Sequence, residues 1–306
     1  MLGLQYFSFQ EVWSPMFLFA TIGVIIGYLY LVGPWRERHF PMEPPVSKGR
    51  KLLFISAALL YYLSYEGPLG FLGHIMFSFH MTNMAISYLI VPPMVLFSVP
   101  GFLWSKAFSA RFWRKLKFLM HPIVTLIMFN MLFSIYHIPV IHDYVMTNFT
   151  VHRLYYLVML IAAFMMWWHV YTPIKDMPQM PHVKRLAYIF ANGVLLTPAC
   201  ALIIFSDAPL YAIYNDPEVW VNAMGFCIPG DTSYLLSLTE FQGPQFFNMF
   251  TTLEDQQAGG IIMKLIQEVT YGVLLALVFR EWFSKEHKQE KVDEQLLRDA
   301  LAIKHK

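Results

Sequence analysis

Residues 186–206 read LAYIFANGVLLTPACALIIFS, twenty-one consecutive positions without a charged side chain. A helix of ~20 apolar residues crosses a bilayer core of ~30 Å, so this stretch predicts a transmembrane helix. Working outward from it, six further stretches are predominantly apolar: 15–32, 52–66, 72–98, 119–137, 153–171 and 258–280. The whole chain agrees. Apolar residues make up 57% of the 306 and charged residues 14%, against roughly 25% charged in a soluble globular chain, and mean hydropathy is +0.47. A water-facing surface cannot be built from so few charges. The sequence therefore predicts an all-α integral membrane protein, a bundle of seven transmembrane helices in a lipid bilayer, and excludes a soluble enzyme. A net charge of +2 gives no nucleic-acid footprint, and Cys200 and Cys227 are too few for a disulfide framework.

Lys and Arg stay near short loops on the cytoplasmic side of a membrane. Here 20 of the 22 fall on one side, in the first, third and fifth connections and the tail; Arg153 at a span end and Lys264 inside the seventh span are the exceptions. This predicts an outside N-terminus and a cytoplasmic C-terminus. The chain divides into an interfacial segment 1–14, a membrane domain 15–280 and a charged cytoplasmic helical tail 281–306. The start of the chain lacks the basic region and small-residue site of a cleaved signal. Residues 207–257 carry no Lys or Arg but are rich in acidic and aromatic side chains, which predicts a packed cap on the outer ends of the helices.

Polar groups inside spans are expensive and mark function or pairing. In the third span His80 has Met76 and Met84 at i−4 and i+4 and Met81 beside it. A helix would put the first two on its face. Imidazole with thioethers is a soft donor set suited to Cu(I). The same residues also describe a hydrogen-bonded core histidine among gap-filling methionines. His137, His142 and His152 gather at the outer ends of spans four and five, where they are either relay ligands or interfacial polar residues. Lys264 and Glu268 are an i, i+4 pair in the seventh span, read as a buried ion pair.

The segments His80-Met81-Thr82-Asn83-Met84, Pro92-Pro93, Pro100, His121-Pro122, Tyr136-His137-Ile138-Pro139, His152, Trp167-Trp168 and Asp255-Gln256…Gly259…Met263 occur in an order that resembles the seven-span CtaG family. These are bacterial assembly factors for cytochrome c oxidase, and the resemblance covers about 15–280. It implies a multi-pass protein of the bacterial plasma membrane that makes and breaks no covalent bond, works with cytochrome c oxidase subunits, and delivers copper from outside. On that reading His80 and Met84 are core copper ligands, Met76 or Met81 completes the set, and His137 and His152 capture or relay the ion. Asp255, Gln256 and Met263 form the outer motif. Two departures stand out: Met84 replaces a second histidine of many relatives, and Lys264 replaces a frequent Trp. Three rival readings remain: a haem-binding electron carrier, a proton-coupled transporter working through Lys264 and Glu268, and a metal-free assembly scaffold.

Overall fold

The computed structural model describes residues 7–109, 117–174, 177–225, 243–247 and 249–304, the side chains of 117 and 296–304 excepted. The Leu4 and Tyr6 part of the interfacial segment and residues 226–242 of the cap lie outside the described residues. Helices dominate the described residues, and no strand occurs among them. Their starts follow from the sequence: α1 (Phe9–Trp13) is capped by Ser8, and α2 (Pro15–Tyr30), α4 (Pro68–Gly73), α7 (Pro122–Tyr136), α8 (Pro139–Met146) and α11 (Pro217–Met224) each carry proline in the first turn. There the missing N–H is no loss, because the first turn has no internal acceptor for it. Other helices are α3 (Lys48–Tyr65), α5 (Phe77–Ser98), α6 (Gly101–Ala107), α9 (Phe149–Trp168), α10 (His182–Ile204) and α12 (Thr252–Lys304), with short helical turns between some of them.

Among the described residues, six helices are long and apolar enough to cross a membrane, or seven if the bent pair α7–α8 counts as one span. The fourth expected span is the one that changes. Its helix α7 has 15 residues, ~22 Å at 1.5 Å per residue, and then turns by 82° into α8. Pro139 explains the break, since it disfavours helical backbone at the preceding Ile138. The third span also starts later than expected. Residues 68–73 form the separate α4, and Met76 is the extended N-cap of α5, so His80 lies in that helix's first turn rather than ~12 Å down it.

One end of the bundle, here the cap end, carries α1, α4, α8, α11 and the turn Pro244–Phe247. Phe7, Val12, Phe71, Ile75, Trp220 and Phe247 pack together there. From the other end, the tail end, α12 runs on as an exposed helix. At the centre α12 packs against both α5 and α10. A Cβ on Gly259 would lie 2.8 Å from the Phe77 ring and 3.1 Å from Ser78 Cα, so glycine is what lets α5 and α12 approach. Buried polar side chains pair across the core: Asn130 donates to Asn192 at 2.5 Å, Asn192 donates to Tyr271 at 2.6 Å, and Thr125 meets Tyr188 at 3.0 Å. Without water, such groups must satisfy one another.

Lys264 and Glu268 do pair, Nζ to Oε1 at 2.8 Å, but they are not buried: their side chains are 28% and 62% exposed. Met263 and Gln267 take the inward positions of α12, which turns the residues after them to the outside of the bundle.

Candidate functional site

A cavity of about 210 Å³ opens at the cap end between α2, α3, α5 and α9. It is lined by His74, His80, Met84, Met146 and His152 on its buried side, and by Glu11, Ser14 and Phe149 where it approaches the surface. That volume has room for several waters. Each donor arrives on a separate piece of chain. His74 ends α4, His80 and Met84 are one turn apart on α5, Met146 closes α8 and His152 lies in the first turn of α9.

The histidines fall into two pairs, of which His142 alone is not in the cavity lining. His74 and His152 have ring centroids 5.8 Å apart, and His80 and His142 are 5.2 Å apart, both edge to face. Two tyrosines join the pairs. Tyr136 OH lies 3.3 Å from His80 Nε2, 2.9 Å from Tyr156 OH and 3.3 Å from Met146 Sδ, while the Tyr156 ring stacks edge-on to His152 at 4.2 Å. Among the described residues no three His, Cys, Asp or Glu side chains converge to hold a metal ion, so any ion here would take a histidine pair supplemented by thioether sulfur.

Several ring nitrogens are poised without partners. Nε2 of His137, His142 and His152 is buried with no hydrogen-bond partner, an arrangement that costs free energy unless something else meets the atom. His74, which lies between the membrane-crossing helices, has its pKa pushed down to about 4 by burial. It is therefore the neutral, lone-pair-bearing form that metal binding requires. At the cavity rim Arg153 forms an ion pair with Glu66 and sits over the rings of Phe17, Tyr65 and Phe149 at 5.5, 5.4 and 5.1 Å.

The cavity gathers only some of the residues singled out in sequence. His80, Met84 and His152 line it. Met76 instead packs in the cap-end cluster with Ile75 and Trp220, because α5 starts after it. Met81 faces α12, its Cγ 3.2 Å from where a Gly259 Cβ would be. His137 is buried beside the cavity, its Nδ1 2.7 Å from the Phe133 carbonyl. Asp255, Gln256 and Met263 brace the site without entering it. Asp255 accepts from the amides of Phe77 and Ser78, Gln256 accepts from Leu210 N–H at 2.7 Å, and Met263 is core. Sequence reading missed His74 and Met146. Their only signal was position, six residues before His80 and four after His142.

The model of the family described as cytochrome c oxidase caa3 assembly factor (Caa3_CtaG) matches residues 26–285, more than four-fifths of the chain and all of the cavity's histidines and methionines. The chain belongs to this family. No curated protein and no solved structure matches it. Membership makes this assembly factor a multi-pass protein of a bacterial membrane, associated with the assembly of cytochrome c oxidase. The ordered motifs of the sequence now have places in this caa3 assembly factor: those around His80 and His152 supply donors to the cavity, and the one at Asp255 fixes the helix that presents His80.

Proposed function

We propose that this assembly factor hands copper, as Cu(I), to the oxidase through the cap-end cavity, with the cap end on the outer side of the membrane. Copper is cargo on this reading, and the protein is a carrier rather than a catalyst. The observation that carries it is the convergence of His74, His80, His152, Met84 and Met146 on one cavity. Imidazole and thioether are the donors that favour Cu(I) over harder ions, and a soft monovalent ion accepts the low coordination that a histidine pair with one sulfur provides. His74 and His152, nearer the rim, receive the ion; His80 with Met84 or Met146 holds it deeper. Tyr136 and Tyr156 orient the donors between the two positions. The outward orientation is supported by the 20 of 22 basic residues on the opposite side.

The rivals fit less well. A cavity of about 210 Å³ is below the ~300–1,000 Å³ of ordinary small-molecule pockets, and a haem is larger than most ligands those pockets hold. A transporter working through Lys264 and Glu268 would need that pair on a route through the protein, whereas it lies on the bundle's surface. The test is metal content of anaerobically purified protein together with its optical spectrum. Copper without a Soret band is expected, lost in the double variant His80→Ala with His152→Ala. Copper-free wild type, or equal copper in the double variant, would leave the scaffold reading.

A further inference from the structure

Helix α5 does not run alongside α12 for its whole length. Its first half, Phe77–Ala85, lies close against α12 at Gly259. A π-helical turn follows at Ile86–Ile90, and then two prolines, Pro92 and Pro93. Both are features at which helices bend. Past that turn α5 makes little contact with α12, which keeps instead to the side of α9, where Trp167 meets Tyr271 edge-on at 5.4 Å. A groove of about 580 Å³ opens between α3, α5 and this second part of α12. Leu53, Met94, Phe97, Val273 and Leu277 line it. Val273 and Leu277 are exposed, so its open side faces the lipid.

The tail end of the groove is charged. Arg50, in the first turn of α3, belongs to its lining. Nε of Arg50 donates to the Phe97 carbonyl at 3.0 Å and Nη2 to the Val99 carbonyl at 3.1 Å, which fixes the guanidinium at the end of α5. A guanidinium has five N–H groups, so more than half remain to meet an anion. Arg280 is exposed one turn past Leu277, on the same face of α12. Among the described residues no Asp or Glu lines the groove. Its apolar part spans Val269 to Leu277 on α12, ~12 Å along the helix.

We propose that this groove binds an anionic phospholipid, with an acyl chain against Met94 and Val273 and the phosphate between Arg50 and Arg280. Basic pockets between membrane helices bind such headgroups. Charge decides against the other occupants. A second copy in the same orientation would bring its own basic residues, since 20 of the chain's 22 Lys and Arg fall on this side. A helix of another membrane protein follows the same rule and would do likewise. An anionic lipid instead places a negative charge at the depth of the helix ends, with an apolar chain directly below it. This inference does not depend on the copper reading.

The experiment uses the full chain purified in mild detergent, with phosphatidylglycerol and phosphatidylcholine of identical acyl chains added in competition. Lipid retained after gel filtration is measured by mass spectrometry. Phosphatidylglycerol should be retained in preference. Arg280→Gln should weaken that preference roughly fivefold, the effect of one surface cation on an anionic lipid. Lys184→Gln, an exposed cation at the start of α10, should leave it unchanged. Arg50 stays in place because it also holds the end of α5. Val273→Phe, which fills the groove, should lower phosphatidylglycerol retention, whereas Val194→Phe on the exposed face of α10 should not. A photoreactive group attached at Val273→Cys should label lipid. The proposal is overturned if the two lipids are retained equally, if Arg280→Gln acts no differently from Lys184→Gln, or if Val273→Phe retains as much lipid as wild type. It is equally overturned if the group at Val273→Cys labels a second copy or another polypeptide in native membranes.

Discussion

The carboxylate of Asp255, on α12, holds the first turn of the helix that carries His80: the Phe77 amide donates to its Oδ2 at 2.7 Å and the Ser78 amide to its Oδ1 at 3.4 Å. A helix start has amides without internal acceptors and a partial positive charge, and a buried carboxylate from another helix answers both. The position of His80 is thus set by a residue 175 places away in the chain.

Asp255→Ala should therefore destabilise the protein by about 1–3 kcal/mol, the range for losing hydrogen bonds to a charged group. Thermal unfolding in detergent measures this. A smaller effect from Asp255→Asn, which keeps one acceptor oxygen, would identify the cap as the cause.

Gly259→Ala should cost about 1–3 kcal/mol as α5 is pushed off α12, because the new methyl meets the Phe77 ring and Ser78 backbone. Gly272→Ala on the same helix meets open space and should leave the melting temperature unchanged or raise it slightly, since glycine inside a helix costs roughly 0.5–1 kcal/mol relative to alanine. Equal effects at the two positions would contradict the close approach at Gly259.

Copper binding should separate the methionines. Met84→Leu and Met146→Leu keep volume and remove a cavity sulfur, so each should weaken Cu(I) retention in competition with a chelator. Met76→Leu and Met81→Leu should not, since their sulfurs lie in the cap-end cluster and against α12. A loss confined to the second pair would refute the cavity assignment.

What the sequence made legible here was whatever helical periodicity governs. The i, i+4 spacing of His80 and Met84 put both on one side of α5, and the spacing of Lys264 and Glu268 made them a pair. Periodicity failed where the backbone leaves the helix: Gly73–Met76 is a break, so Met76 lost its place beside His80 and His74 gained one beside His152. It also could not say which way a pair faces. That depends on what packs against Met263 and Gln267, and those partners come from distant parts of the chain.

A pH dependence is expected from His169, which follows the last turn of α9. Burial, with the neighbouring His121, pushes its pKa down to about 4. The folded state then binds fewer protons than the unfolded one between pH 6.5 and about 4, so stability should fall as pH drops through that window and level off below it. The slope is at most about 1.4 kcal/mol per pH unit, less a discount for the part of the ring that water reaches. His169→Gln should flatten the fall, as read from unfolding midpoints at pH 7 and pH 5.

Reporter fusions check the orientation. One inserted after Met224, beside α11, should read outside, and one after Lys306 should read cytoplasmic. A cytoplasmic signal from the first would put the cavity on the wrong side for a donor of copper from outside.

The bend between α7 and α8 reaches past the protein itself. At ~22 Å, α7 is several ångströms short of a ~30 Å hydrocarbon core, and α8, turned by 82°, cannot make up the difference. A bilayer that thins along that flank to match it does so at a cost of fractions of a kcal/mol per ångström of mismatch. Another membrane protein that thins its own surroundings would relieve part of that deformation by settling there. The lipid would draw the two together before any side chain touched.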